Sequence, residues 1–226
     1  MDLSFMEEKQ EELDQKMTLI ASSFDEDAIQ DGIISPNSYI ESPFKMLWLA
    51  REPHDTDGGY DYKREILKGL NNGIYKKDKY FDQMRYALYS LENNFLHWED
   101  IPDSDTSEYI ANKLREVAFV NCSKIPGGAN LNWERWWKYV KAFKEIVFEQ
   151  IELARPDIIV CVGTQIYLKE FGYLENATEH EKSYRHYYLK GSQIILDCYH
   201  IAARFSPEKY LDDIVDAIRQ AKIHSN

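Results

Sequence analysis

The chain has 226 residues, 44% hydrophobic and 14% aromatic, which suits one sizeable core and is short for two independent domains. No run of about 18 apolar residues appears, and the amino terminus lacks the basic flank and apolar stretch of a secretory signal, so neither a membrane span nor export is expected and a cytoplasmic address follows. The net charge of −12 opposes a nucleic-acid partner at first reading, because phosphate binding leaves a basic footprint. The acids are concentrated, however: residues 1–31 carry a net −8 and residues 92–108 a net −6, which leaves the rest of the chain at +2. Solvated surface is the plain reading of both acidic segments, and the sharper one is that they engage a protein partner or guard a nucleic-acid groove.

In chain order, residues 4–20 have the period of an amphipathic helix with Phe5, Leu13, Met17 and Ile20 on one side, followed by a polar, irregular stretch to about Pro43. Residues 1–43 therefore read as an N-terminal appendage and residues 44–226 as the main domain. Four apolar, β-prone runs follow, at 45–50, 117–122, 157–162 and 193–198, each apolar enough to be covered on both faces. Helical patterns lie between them at about 61–70, 79–93, 105–116 and 133–154, and a last one covers 207–223. In the long pattern, Trp133, Trp136, Trp137, Val140, Phe143, Val147 and Ile151 recur at helical spacing and read as core rather than as a base-stacking platform. Arg155-Pro156 ends it, since a proline disfavours helix in the residue before it. Residues 183–189 alternate as an edge or hairpin strand would. The expected fold is α/β, a three-layer α/β/α sandwich around a central, mainly parallel four-stranded sheet.

Cys122, Cys161 and Cys198 each lie near the end of an apolar run without paired short spacing, so buried thiols are expected, with no disulfide framework, zinc or iron–sulfur site. An open α/β sheet binds its ligand beyond the carboxyl ends of its strands. There the sequence places Glu52 and His54 after the first strand, Asn121, Lys124 and Pro126-Gly127-Gly128 after the second, Gly163-Thr164 after the third, and His200 after the fourth. A carboxylate that holds water and favours a cationic sugar, with a donor for a departing base, is what hydrolysis of an N-glycosidic bond requires. An asparagine offers a donor and an acceptor side by side to the edge of an extruded pyrimidine. The glycines let backbone N–H groups approach a phosphate. Neither G-x-G-x-x-G after a strand nor G-x-x-x-x-G-K-[ST] occurs, so dinucleotide and nucleoside-triphosphate binding lose their usual anchors.

These ordered strand-end motifs resemble those of the uracil-DNA glycosylase superfamily over about residues 45–220. Leu47-Trp48-Leu49-Ala50-Arg51-Glu52-Pro53-His54 is similar to its first motif, Asn121-Cys122-Ser123-Lys124-Ile125-Pro126-Gly127-Gly128 to its Asn-x-x-Lys…Pro-Gly segment, and Tyr199-His200-Ile201-Ala202-Ala203-Arg204 to its His-Pro-Ser motif. The resemblance implies Glu52 and His200 as catalytic residues, with Asn121, His54, Tyr60, Lys124, Gly127, Gly128 and Arg204 binding substrate. The expected activity is metal- and cofactor-independent hydrolysis of the N-glycosidic bond of a flipped-out uracil or modified pyrimidine in single- or double-stranded DNA, in repair or in defence against modified foreign DNA. Departures from the pattern are Glu52 for the usual Asp or Asn, His54 where some members carry an aromatic, and Ile201-Ala202 for Pro-Ser. Tyr60 or Tyr62 would stack on the base and Ile201 or Phe205 wedge into the duplex, with core packing an equal reading of each. Two other readings stay open. His54, Asp55, Asp57 and His200 would be the metal ligands of a phosphoesterase, or the chain would be a binding module without chemistry.

Overall fold

The computed structural model describes residues 2–54, 57–73, 79–128, 131–182, 185–201 and 206–224. Its helices are α1 (Leu3–Ser22), α2 (Pro36–Glu41), α3 (Tyr62–Asn71), α4 (Lys79–Glu92), α5 (Glu108–Asn112), α6 (Trp133–Ala154), α7 (Gln165–Glu170) and α8 (Pro207–His224). The strands are β1 (Gly32–Ile33), β2 (Met46–Ala50), β3 (Val117–Asn121), β4 (Ile158–Val162), β5 (Thr178–Lys182), β6 (Arg185–Lys190) and β7 (Gln193–Cys198). They form one sheet of order β1-β3-β2-β4-β7-β6-β5. The four apolar runs are its parallel centre, with β2 pairing with both β3 and β4, and β4 pairing with β7. The sheet has seven strands where the sequence suggested a central four with an edge or hairpin strand at 183–189; β6 is that strand, and β1 and β5 extend the sheet antiparallel at its two edges.

Alternate residues of each central strand enter different layers, as the pleat requires. Met46, Trp48, Val117, Phe119, Ile158 and Val160 pack with Met84 and Leu88 of α4 and Leu211 and Ile214 of α8. Leu47, Leu49, Ala118, Val120, Ile159 and Cys161 pack with Leu13 and Met17 of α1 and with Trp136, Val140, Phe143 and Val147 of α6. The result is a three-layer α/β/α sandwich, and each fully buried aliphatic or aromatic side chain in it contributes about 1.5–3 kcal/mol relative to exposure.

Residues 2–43 are integrated into this core, where the sequence suggested that 1–43 form an appendage. The buried side of α1 covers α6, Lys9 and Lys16 reach Glu149 of α6 at 3.1 Å each, and β1 joins the sheet. The carboxylate of Asp31, just before β1, is wholly buried. α6 starts on the Asn132 side chain, which accepts from the Arg135 N–H, and stops at Arg155 in a left-handed conformation with φ 44°.

Candidate active site at the carboxyl ends of the parallel strands

The chain leaves β2 for β3 on one side, then crosses β2 to form β4 on the other. The order β3-β2-β4-β7 therefore has its switch point between β2 and β4, where open α/β sheets form their crevice. Glu52 follows β2, Gly163 follows β4 and His200 follows β7. Glu52 and His200 thus leave strands two positions apart, about 10 Å at ordinary strand spacing.

The parallel pairing of β2 and β3 continues into the loops. Cys122 N–H donates to the Ala50 carbonyl (2.8 Å), Ser123 N–H to Arg51 (2.9 Å) and Gly127 N–H to Pro53 (2.8 Å). Trp136 Nε1 donates to the Arg51 carbonyl as well, at 3.1 Å, which ties α6 to the residue before Glu52. The Glu52 carboxylate lies so close over Gly127 that a Cβ there would overlap it, so a side chain at this position would displace the carboxylate. Glu52 is half-buried, with no hydrogen bond or ion pair among the described residues. Burial raises its carboxyl above the usual range, opposed by the positive charges of Arg135, Arg51 and His54.

On the far side of β4, Gly163 at φ +68° turns the chain beneath His200 and donates its N–H to the Cys198 carbonyl at 2.7 Å. The imidazole of His200 is pushed down to about 4, first by burial and then by the charges of Arg51 and His54. It is therefore neutral at physiological pH, with one ring nitrogen as a donor. Arg51 and His54 act electrostatically on both Glu52 and His200. Tyr80 meets His200 edge-on, with ring centroids 6.3 Å apart, and a run of rings continues from Tyr80 through Phe119 and Tyr62 to Tyr60. A cleft of about 530 Å³ opens beside Glu52, lined by Gly127, Gly128, Arg135 and the acidic side chains of Asp25, Glu26, Asp27 and Asp57.

Other members of the expected set lie elsewhere. Lys124 is wholly buried and binds Asp31 Oδ1 at 2.6 Å and Gln150 Oε1 at 2.8 Å, so the phosphate contact expected of it is corrected to a structural ion pair. Asn121 is 1% exposed and gives both its backbone N–H (2.8 Å) and its side-chain Nδ2 (3.0 Å) to Asp31 Oδ2, which turns the expected base reader into the interior. Gly127 N–H is occupied by Pro53, so it is not a phosphate donor, while Gly128 is exposed at the cleft. His54 is exposed and Tyr60 half-buried. Asp55, Arg204 and Phe205 lie outside the described residues. Among the described residues, no three His, Cys, Asp or Glu side chains are grouped to hold a metal ion.

Asp31, Tyr80 and Phe119 were missed from sequence. Asp31 is embedded in an acidic stretch that reads as surface, Phe119 in an apolar run that reads as core, and Tyr80 at the start of an ordinary amphipathic helix. Nothing local distinguishes them; their neighbours do. No described helix is long and apolar enough to cross a membrane. No family model matches the chain, and no curated protein matches it.

Proposed function

We propose that the chain hydrolyses the N-glycosidic bond of an extruded uracil or modified pyrimidine in DNA. The observation that carries this reading is the pair at the switch point: a desolvated carboxylate with no hydrogen bond or ion pair among the described residues, Glu52, and a neutral imidazole, His200, leaving strands on either side of β4. Ionised Glu52 accepts a proton from water as the oxygen bonds to the anomeric carbon, and its charge favours the cationic sugar. The glycosidic electron pair leaves with the base, which accepts a hydrogen bond from His200. A neutral imidazole N–H suits this step because it stabilises the developing anion by hydrogen bonding while keeping its proton.

Tyr60, Tyr62 and Tyr80, in edge-to-face contacts that run through the buried Phe119, supply aromatic surface next to His200 for a heterocycle. With Asn121 bound to Asp31, selection among bases falls to these rings and to His54. The experiment is base release from oligonucleotides containing uracil, hypoxanthine and hydroxymethylated or glucosylated cytosine, single- and double-stranded, in the presence of chelator. Release by the wild-type chain that falls at least about 100-fold in Glu52→Gln and in His200→Asn supports the proposal. Full activity in either variant removes that residue's role, and chelator-sensitive strand cleavage without base release favours the phosphoesterase reading.

A further inference from the structure

Seven large hydrophobic side chains are conspicuously exposed among the described residues, and two aromatic ones flank the site: Trp133 at 51% and Tyr199 at 50%. The sequence pattern put Trp133 in the core stripe of α6. Trp136 fulfils that pattern, fully buried, but Trp133, one turn earlier, stands clear of the sheet at the strand ends. Its ring is held edge-on to Trp136 at 5.6 Å and 89°, and Trp136 in turn bonds to the Arg51 carbonyl, immediately before Glu52. Tyr199 immediately precedes His200, and its carbonyl accepts a hydrogen bond from the Tyr210 hydroxyl of α8 at 2.8 Å. The Trp133 ring is thus fixed against the scaffold that carries Glu52, and the backbone of Tyr199 is fixed beside His200.

From this arrangement we infer that Trp133 and Tyr199 are base-stacking platforms that seat single-stranded DNA across the Glu52–His200 site. Stacking on rigid exposed rings is sequence-tolerant and demands unpaired bases, whose faces a duplex hides. Arg51, immediately before Glu52, and Arg135, two residues after Trp133 and paired with Glu26 at 3.5 Å, bring positive charge to the single row of phosphates. Asp25, Glu26, Asp27 and Asp57, around the adjoining cleft, repel further phosphates, so the second backbone of a duplex is disfavoured. The choice of nucleic acid as occupant rests on the glycosylase reading; the rings' exposure and anchoring do not.

The test is binding of the full chain to a fluorescent oligothymidylate of about 12 nucleotides, alone and annealed to its complement, at fixed low salt. The expected result is tighter binding of the single strand, weakened about 5- to 150-fold by Trp133→Ala and by Tyr199→Ala, with Trp133→Phe and Tyr199→Phe restoring most of it. Unchanged affinity in both alanine variants, equal affinity for the duplex, or no binding of the single strand overturns the inference. Thermal melting of each variant checks the fold, and the phenylalanine variants retain the readout if an alanine variant melts early. The two readings fail separately. Ring-dependent binding without base release removes the chemistry and keeps the platforms, whereas base release from single strands that is indifferent to both alanine variants removes the platforms and keeps the chemistry.

Discussion

Asp31 Oδ1 and Lys124 Nζ lie 2.6 Å apart, and neither side chain is exposed to solvent. Gln150 completes the arrangement by donating to Asp31 Oδ1 and accepting from Lys124, while Asn121 donates twice to Asp31 Oδ2. Burial pulls the Lys124 ammonium below its ordinary range and the Asp31 carboxylate opposes that shift. The network joins the approach to β1, the end of β3, the loop after it and α6, so it fixes the floor beneath the Glu52 loop.

A buried pair of this kind is costly to break one side at a time. Asp31→Asn and Lys124→Met are each expected to destabilise the chain by about 3–5 kcal/mol in urea unfolding, because each leaves an uncompensated buried charge. The double variant is expected to lose less than the sum. Additive losses would mean that the two groups are not coupled.

Gly127 holds a different kind of constraint. An alanine there would overlap the end of the Glu52 side chain, a flexible group, while the surrounding backbone remains paired. Gly127→Ala is expected to leave melting within about 1 kcal/mol of wild type and to lower base release at least about 10-fold by displacing the carboxylate. Unchanged turnover would show that the position of Glu52 over Gly127 is not the one used.

Two groups give the stability curve opposite slopes in mild acid. Burial raises Asp14 from 3.8 to about 6 despite its ion pair with Lys63, so the folded chain holds a proton that the unfolded chain has lost. Its contribution is fully present below 3.8 and disappears as pH rises through about 6. His200 is lowered from 6.5 to about 4, so in that window the unfolded chain holds the extra proton, and its contribution is present above 6.5 and lost as pH falls towards 4. Asp14→Asn is expected to make stability rise more steeply from pH 4 to 6, and His200→Asn to make it rise less steeply. Urea midpoints measured across that range check both signs, and a slope unchanged by either substitution contradicts the corresponding shift.

Much of the architecture was legible because it is written locally. The apolar runs 45–50, 117–122, 157–162 and 193–198 became β2, β3, β4 and β7 with ends moved by no more than a residue, and the helical patterns at 61–70, 79–93 and 133–154 became α3, α4 and α6. The pattern at 105–116 shortened to α5 and a following 3₁₀ turn, Lys113–Glu116. Elements without a period were missed. β1 has two residues, β5 reads Thr-Glu-His-Glu-Lys, and α2 and α7 have six residues each.

By itself the sequence determined the four central strands and the long helices, and hence that Glu52, Asn121, Lys124 and His200 follow strand ends, because hydrophobic period and turn chemistry act over a few residues. Only the tertiary structure decided which of these four face the crevice. Asn121 and Lys124 turn inward because Asp31, some ninety residues earlier, offers a carboxylate that offsets their desolvation. Glu52 and His200 remain at the crevice because β4 comes between their strands, and Trp133 stands exposed because α6 begins a full turn before it reaches the sheet's cover. Those outcomes depend on partners distant in sequence, and residue type alone does not encode which partner a polar side chain will meet once water is excluded.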